Sequence, residues 1–411
     1  MTVGTISARL APVAARARLA ELRDFVARRA FTPSSPAGAQ RLGAEIEFIA
    51  VSERTGRVAP LDADDGCSTL GAVRAAAARH AWMEGRSVKG AAWFRLPRGG
   101  RITFEPGGQI EYASPPASSG TRLLDDLRGT ASTLREACAA RGIHLLECGL
   151  DPLNGPENAP LQVHTARYRR MDAYFAQIGP AGARMMRQTA SLQVAVDIGA
   201  DAGGRWRLLN ALAPVLTAVF ANSRRYAGRD AGFASYRAET WRRTDPLRTG
   251  VLPGLDPIGE YVDFALRAPA ILLGGEDEPA QPFADWVGAA DGAADWESHL
   301  GTLFPEVRPR GYFEVRSVDA VPEGQWPAVI ALVAGLAYDA QASCEAAEIV
   351  GNPDTELLAR AGRLGLGDPT LARMARELAA VALGGCRRLG PAFISERYRR
   401  DAADFFGTLT A

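Results

Sequence analysis

Four short runs in this chain alternate apolar residues with acidic or amide ones, and that alternation restricts the fold more than any other feature. Side chains two positions apart on a β-strand share a face. Glu45 and Glu47 therefore lie on one face, with Ala44, Ile46 and Phe48 on the other. Gln109 and Glu111 share a face opposite Ile110 and Tyr112, and Ser191, Gln193, Ala195 and Asp197 alternate with Leu192, Val194 and Val196. In the last run Glu314 and Arg316 alternate with Phe313 and Val315. Each run alone reads as a half-buried strand with a wet outer face. Together they centre glutamate on three strands and glutamine on a fourth, and Arg316 is the only cation at these positions.

Clustered carboxylates repel unless positive charge stands among them. The chain has a single lysine, Lys89, so a divalent cation is the natural partner, and Mg²⁺ prefers carboxylate and amide oxygen. Carboxylate-held Mg²⁺ beside an arginine is equipment for phosphoryl transfer, in which charge on the moving phosphate must be neutralised.

The rest of the sequence removes other classes. The 47 basic and 47 acidic side chains give a formal net charge of +0, which argues against nucleic acid and anionic membrane surfaces as partners. The order Lys89-Gly90 is the reverse of a phosphate-binding loop. Five scattered cysteines with no Cys-x-x-Cys pair suggest a reducing compartment, and four histidines without i, i+4 pairs exclude a histidine-rich metal site. No apolar stretch reaches bilayer length. The Ala- and Arg-rich start resembles a transit peptide in composition, but Leu10, Val13, Leu19, Leu22, Phe25 and Val26 recur at helical spacing, so a packed first helix is expected. A soluble, cytoplasmic protein follows.

Helical patterns are expected near 7–30, 120–141, 203–221, 325–347, 354–363, 369–384 and 391–407, and strands near 42–51, 101–104, 109–113, 143–148, 191–198 and 312–318. No Gly-x-Gly-x-x-Gly and no regular strand–helix alternation occur, which disfavours a Rossmann fold. One domain over 1–411 is expected, with the sheet and site in about 41–320 and a helical layer from about 325 onward. Two segments stay open. The Pro106-Gly107-Gly108 turn suits either a positive-φ hairpin or close approach to an anionic ligand. The Arg- and Gly-rich stretch from Ala221 to Gly250 reads as a substrate-binding loop in preference to a solvated one.

Six ordered blocks resemble the glutamate–cysteine ligase family of plants and bacteria, and most of all its ergothioneine-pathway members. They are Gly43–Glu47, Glu105–Glu111, Arg167–Phe175, Gly182–Gln193, Ser235–Gly250 and Tyr312–Ala320. The resemblance implies an α+β fold like that of glutamine synthetase and the guanidino kinases, with a curved, mainly antiparallel sheet, a concave site and helices packed behind. It implies that Glu45, Glu47, Glu111, Gln193 and Glu314 ligate Mg²⁺, with Glu47, Glu314 and Arg316 in the catalytic machinery and Arg316 steadying the transferred phosphate. Arg187, Thr189, Tyr236, Arg237 and Trp241 would hold the amino-acid substrates. The implied reaction joins the glutamate γ-carboxylate to the cysteine amine through a γ-glutamyl phosphate, with ATP as co-substrate. The chain departs from the family pattern at Ala195, where asparagine is frequent, and at Arg224 and Arg225, where proline and an aromatic residue are frequent. A γ-glutamyl ligase using another amine or acid, a guanidino kinase and a non-catalytic binding subunit are the alternatives.

Overall fold

The computed structural model describes residues 13–36, 38–63, 67–87, 90–275, 279–288 and 292–410. Lys89 and residues 7–12 of the expected first helix lie outside them; the helix itself runs Val13–Ala30. Nine strands form the main sheet: β1 (Leu42–Ser52), β2 (Met83–Arg86), β3 (Ala92–Arg95), β4 (Arg101–Phe104), β5 (Ile110–Ala113), β6 (Ile143–Leu146), β7 (Leu192–Val196), β8 (Val307–Pro309) and β9 (Phe313–Val315). Their order is β8-β9-β7-β1-β5-β4-β3-β2, with β6 on the end of β1, and every ladder is antiparallel. The sheet is thus as the sequence resemblance implied.

The long central strand β1 explains how the sheet is held. Ala44, Ile46 and Phe48 point backward and are buried, while Glu45 and Glu47 keep part of their surface open on the other face. The helix Gly120–Ala139 covers the apolar face with Leu123, Leu124, Leu127 and Leu134, all fully buried. It begins where Ser119 accepts a hydrogen bond from the Arg122 backbone N–H, an N-cap in the usual geometry. The helix Trp326–Tyr338 is buried along its whole length, and with Ala202–Val219 it joins the same core as Ile46 and Val194. Burial of this kind contributes about 1.5–3 kcal/mol per large apolar side chain. A second, smaller cluster of Met171, Phe175, Met185, Met186 and Ile271 packs on the open side of the sheet.

The single helix expected over 325–347 is two. The apolar pattern continues, but Asp339 adopts extended backbone and accepts a hydrogen bond from the Ala342 N–H, starting a new helix at Ala340. The pair bends by 101° there. Among the described residues no single helix is long and apolar enough to cross a membrane.

One buried group gives the fold a pH dependence. His299 packs against Phe283 at 4.6 Å between ring centroids and meets the Ala265 carbonyl through Nε2 at 2.8 Å. Burial pulls its pKa down to about 4. The folded chain thus prefers neutral imidazole at this position, so the contribution of His299 to stability is fully present above about pH 6.5 and is lost as pH drops toward 4, by up to about 3 kcal/mol. Urea midpoints measured across that window should show a smaller pH slope for His299→Gln than for the wild type. Equal slopes would remove His299 as the cause.

Candidate active site

Antiparallel register brings the separate polar faces together. Glu45 stands opposite Gln193, Glu47 opposite Glu111, and Glu111 opposite Thr103. On the far side of β7, Glu314 faces Ala195 and Arg308 faces Glu314. The face they form floors a cavity of about 680 Å³, within the range of small-molecule sites.

Glu45, Glu47, Glu105 and Glu111 all line this cavity. Burial, then repulsion from Glu314 and Glu111, raises the Glu45 pKa well above the carboxylate range. Glu47 is pushed up to about 7 by burial and by Glu111. Its carboxylate accepts hydrogen bonds from the Ser191 N–H at 2.7 Å, the Ser191 hydroxyl at 3.0 Å and Gln193 Nε2 at 3.1 Å. Glu105 is likewise raised, by burial and then by Glu111 and Glu47, while Thr103 donates to Glu111 at 2.7 Å. The donors are carboxylate and amide oxygen, the chemistry of a hard divalent cation, and such a cation would relieve this mutual repulsion. Among the described residues no three acidic, histidine or cysteine side chains stand ready-made around an ion, so the fit is one of donor chemistry.

Opposite the carboxylates stands a cationic wall. Arg316 Nη1 donates to Gln193 Oε1 at 2.6 Å and to Glu314 Oε2 at 2.8 Å. Burial alone would raise the Glu314 pKa, but Arg308, Arg316 and Arg310 outweigh it and hold the group at about 2. Glu314 is therefore an anchor for arginines and is not among the cavity-lining residues, unlike the other acidic side chains expected as ligands. Arg237 lines the cavity, donates to the Arg316 carbonyl at 2.9 Å and stands 3.6 Å from the buried Asp319. Trp241 also lines it, with the Arg316 guanidinium 5.6 Å from its ring. The buried Trp241 indole N–H has no hydrogen-bond partner among the described residues.

The remaining expected residues divide. Thr189 lines the cavity, and its hydroxyl donates to the Met185 carbonyl at 2.6 Å. Arg187 instead pairs with Asp172, and Tyr236 packs with Tyr226 and Phe233 outside the cavity wall. Neither lines the cavity. The glycine turn proves to be a hairpin. Gly108 has φ +87°, and a Cβ on Gly107 would lie 2.1 Å from the Arg187 carbonyl oxygen, so the close approach is to a helix end. Gln109 turns inward to brace that turn, accepting from the Gly107 N–H at 3.0 Å and donating to the Thr189 carbonyl at 2.9 Å. Arg224 and Arg225 sit in an exposed hairpin, where Arg224 pairs with Asp230 at 2.8 Å; neither they nor Ala195 lines the cavity.

Four contributors were missed: Glu105, Arg167, Tyr168 and Arg308. Glu105 was legible: Arg101, Thr103 and Glu105 alternate, which puts Glu105 on the face of Thr103 and Glu111. Arg167 and Tyr168 line the cavity from the start of the helix Ala166–Ile178. Arg308 lies on β8, which has Pro305 two residues before its start and Pro309 as its last residue and so reads as loop.

Residues 41–389 match glutamate–cysteine ligase family 2 (GCS2). The chain is 37% identical over 338 residues to glutamate–cysteine ligase EgtA of Mycolicibacterium smegmatis, covering 76% of this chain and 78% of that one. It is 32% identical over 321 residues to the chloroplastic glutamate–cysteine ligase of Arabidopsis thaliana, covering 73% of this chain and 59% of the plant protein. In structure it is similar to a glutamate–cysteine ligase of Francisella tularensis in complex with AMP, with a TM-score of 0.54, 12% identity, and coverage of 91% and 82% of the two chains. At that identity the likeness concerns the fold alone.

Proposed function

Because the chain belongs to glutamate–cysteine ligase family 2, we propose that it forms γ-glutamylcysteine from glutamate and cysteine at the expense of ATP. The observation that carries this reading is one cavity with four carboxylates on its floor and Arg237 and Arg316 on its wall. A glutamate γ-carboxylate oxygen attacks the ATP γ-phosphorus, the bond to the ADP oxygen breaks, and an acyl phosphate forms. The cysteine nitrogen then bonds to the acyl carbon, phosphate leaves, and the amine proton passes to water. Both steps gather negative charge on phosphate oxygens, which is what fixed arginines stabilise. Arg316 is held to Gln193 and Glu314, so it is aimed before substrate arrives. Glu45, Glu47, Glu105, Glu111 and Gln193 would hold Mg²⁺, with Glu314 acting on the site through its arginines. Bound Mg²⁺ would supply charge neutralisation between the phosphates. Arg237, Trp241 and Thr189 are the residues of the expected substrate set that lie on the cavity wall. The departures at Ala195, Arg224 and Arg225 lie off that wall and so give no reason to replace cysteine as the amine. Five scattered cysteines with no Cys-x-x-Cys pair suit a reducing cytoplasm.

Purified chain given Mg²⁺-ATP and both amino acids should release ADP and phosphate in step with γ-glutamylcysteine, and neither amino acid alone should suffice. Phosphate release without the amide, or none beyond background, would overturn the reading.

A further inference from the structure

The family match begins at residue 41, yet the helix Val13–Ala30 reaches the cavity before it. Phe25 and Arg29 from its last turns line the wall together with Arg310. The helix end is locked in place. The Gly311 N–H donates to the Ala30 carbonyl at 2.8 Å, and the Ser34 N–H donates to the Gly311 carbonyl at 2.8 Å. Phe31 packs edge-on against Trp206, Tyr261 and Phe313, with ring centroids 5.4 to 6.3 Å away. Gly311 sits in the turn between β8 and β9, the strand pair that carries Arg308 and Glu314 and leads into Arg316. The N-terminal helix is therefore fastened to the same turn as the cationic wall.

The arginines of this corner differ in what holds them. Arg308 and Arg316 both bond to Glu314 at short range. Among the described residues Arg310 has only the 3.6 Å approach of Glu314 Oε1 as an ion pair, and it remains about half exposed. Arg29 is exposed and has no carboxylate within salt-bridge distance among the described residues, although its neighbour Arg28 pairs with Asp24. A cation at a helix C-terminus interacts favourably with the helix dipole, and that accounts for basic residues in the last turn. It does not account for one that faces a ligand-sized cavity beside a second under-used guanidinium. Two forks in one wall suit the paired oxygens of a carboxylate or phosphate.

We propose that Arg29, with Arg310, binds an anionic group of a substrate in this cavity, so that the helix ahead of the family domain completes the site. The inference rests on the ligase reading for its substrates but not for its chemistry. The shared ligand chemistry is a doubly oxygenated anion, whose source is either an amino-acid α-carboxylate or an ATP phosphate.

The test uses the full chain, with Arg29→Ala, Arg29→Lys and, as a control on the same helix turn, Arg28→Ala. Steady-state ADP release would be measured while ATP, glutamate and cysteine are varied in turn. Arg29→Ala should raise the KM of one of them about tenfold or more, the loss expected of one charge-assisted hydrogen bond, with kcat changed less than threefold and an unaltered thermal midpoint. Arg29→Lys should recover part of the loss, and Arg28→Ala should match the wild type. A shift for ATP assigns the phosphate, and a shift for glutamate or cysteine assigns the carboxylate. All three KM values within twofold of wild type, or an equal loss in Arg28→Ala, would overturn the proposal. If the wild type makes no γ-glutamylcysteine, the ligase reading fails and calorimetric titration with ATP and with glutamate decides this one. Weaker binding by Arg29→Ala supports it, and unchanged or absent binding overturns it.

Discussion

Glu47→Gln is expected to slow γ-glutamylcysteine formation by about 10²- to 10³-fold, the scale of losing one well-placed electrostatic group, while leaving the thermal midpoint level or higher. The two halves of that expectation come from the same crowding. Glu47 lies beside Glu111 at the cavity floor, and burial with that repulsion pushes its pKa up to about 7. Glutamine has the same shape, and its amide oxygen can still accept from the Ser191 N–H and hydroxyl that now bind the carboxylate, while its NH2 gives up the bond from Gln193 Nε2. Removing one acidic group from a crowded cluster of four relieves repulsion and offsets the lost Gln193 bond, so the fold does not suffer. The site does, because an amide oxygen is a weaker ligand for a divalent cation and no longer contributes charge. Initial rates at saturating ATP, glutamate and cysteine, with urea midpoints on the same samples, provide the check. Wild-type turnover in Glu47→Gln would remove this glutamate from the chemistry.

The residues that were legible and those that were not differ in a physical way. Glu45, Glu47, Glu111 and Gln193 could be assigned to one face because strand alternation is local: the neighbours Ala44, Ile46, Leu192 and Val194 show which side is the core. The same rule reached Glu314, but not its orientation, which is set by Arg308 from a three-residue strand that ends in Pro309. Helix positions were harder, because the face a helix turns to the site depends on packing. Arg237 and Trp241 are four residues apart on the helix Tyr236–Thr244 and so share a face, and both line the cavity. Tyr236, one residue before Arg237, is rotated away into the Tyr226 and Phe233 cluster. Arg187 likewise ends a helix and turns to Asp172 on the helix before it. The break at Asp339 escaped the periodicity because the apolar pattern runs through it, whereas an aspartate in extended conformation starts the second helix.

The second large effect is expected from Arg316→Lys, and its argument turns on geometry, since both side chains carry one positive charge. Arg316 holds two acceptors at once through Nη1, Gln193 Oε1 at 2.6 Å and Glu314 Oε2 at 2.8 Å, and its plane lies near the Trp241 ring at 5.6 Å. A lysine ammonium is a compact, strongly hydrated point charge with no plane to set against Trp241 and no fork to present to phosphate. It would also leave Glu314, fully buried and kept ionised by Arg308, Arg316 and Arg310, with one close guanidinium fewer. A lysine drawn to Glu314 is withdrawn from the cavity, and one drawn to the phosphate leaves Gln193 Oε1 without its donor. Either way charge is no longer preorganised where it develops, so kcat should fall by about 10²-fold or more. Because Arg308 still binds Glu314 at 2.7 Å, the chain should stay folded, with a circular dichroism spectrum like that of the wild type. The loss should appear in kcat more than in the KM of glutamate, since the group acts on the transferred phosphate. Turnover within threefold of wild type would show that positive charge alone suffices at this position and would take the phosphate-steadying role away from Arg316.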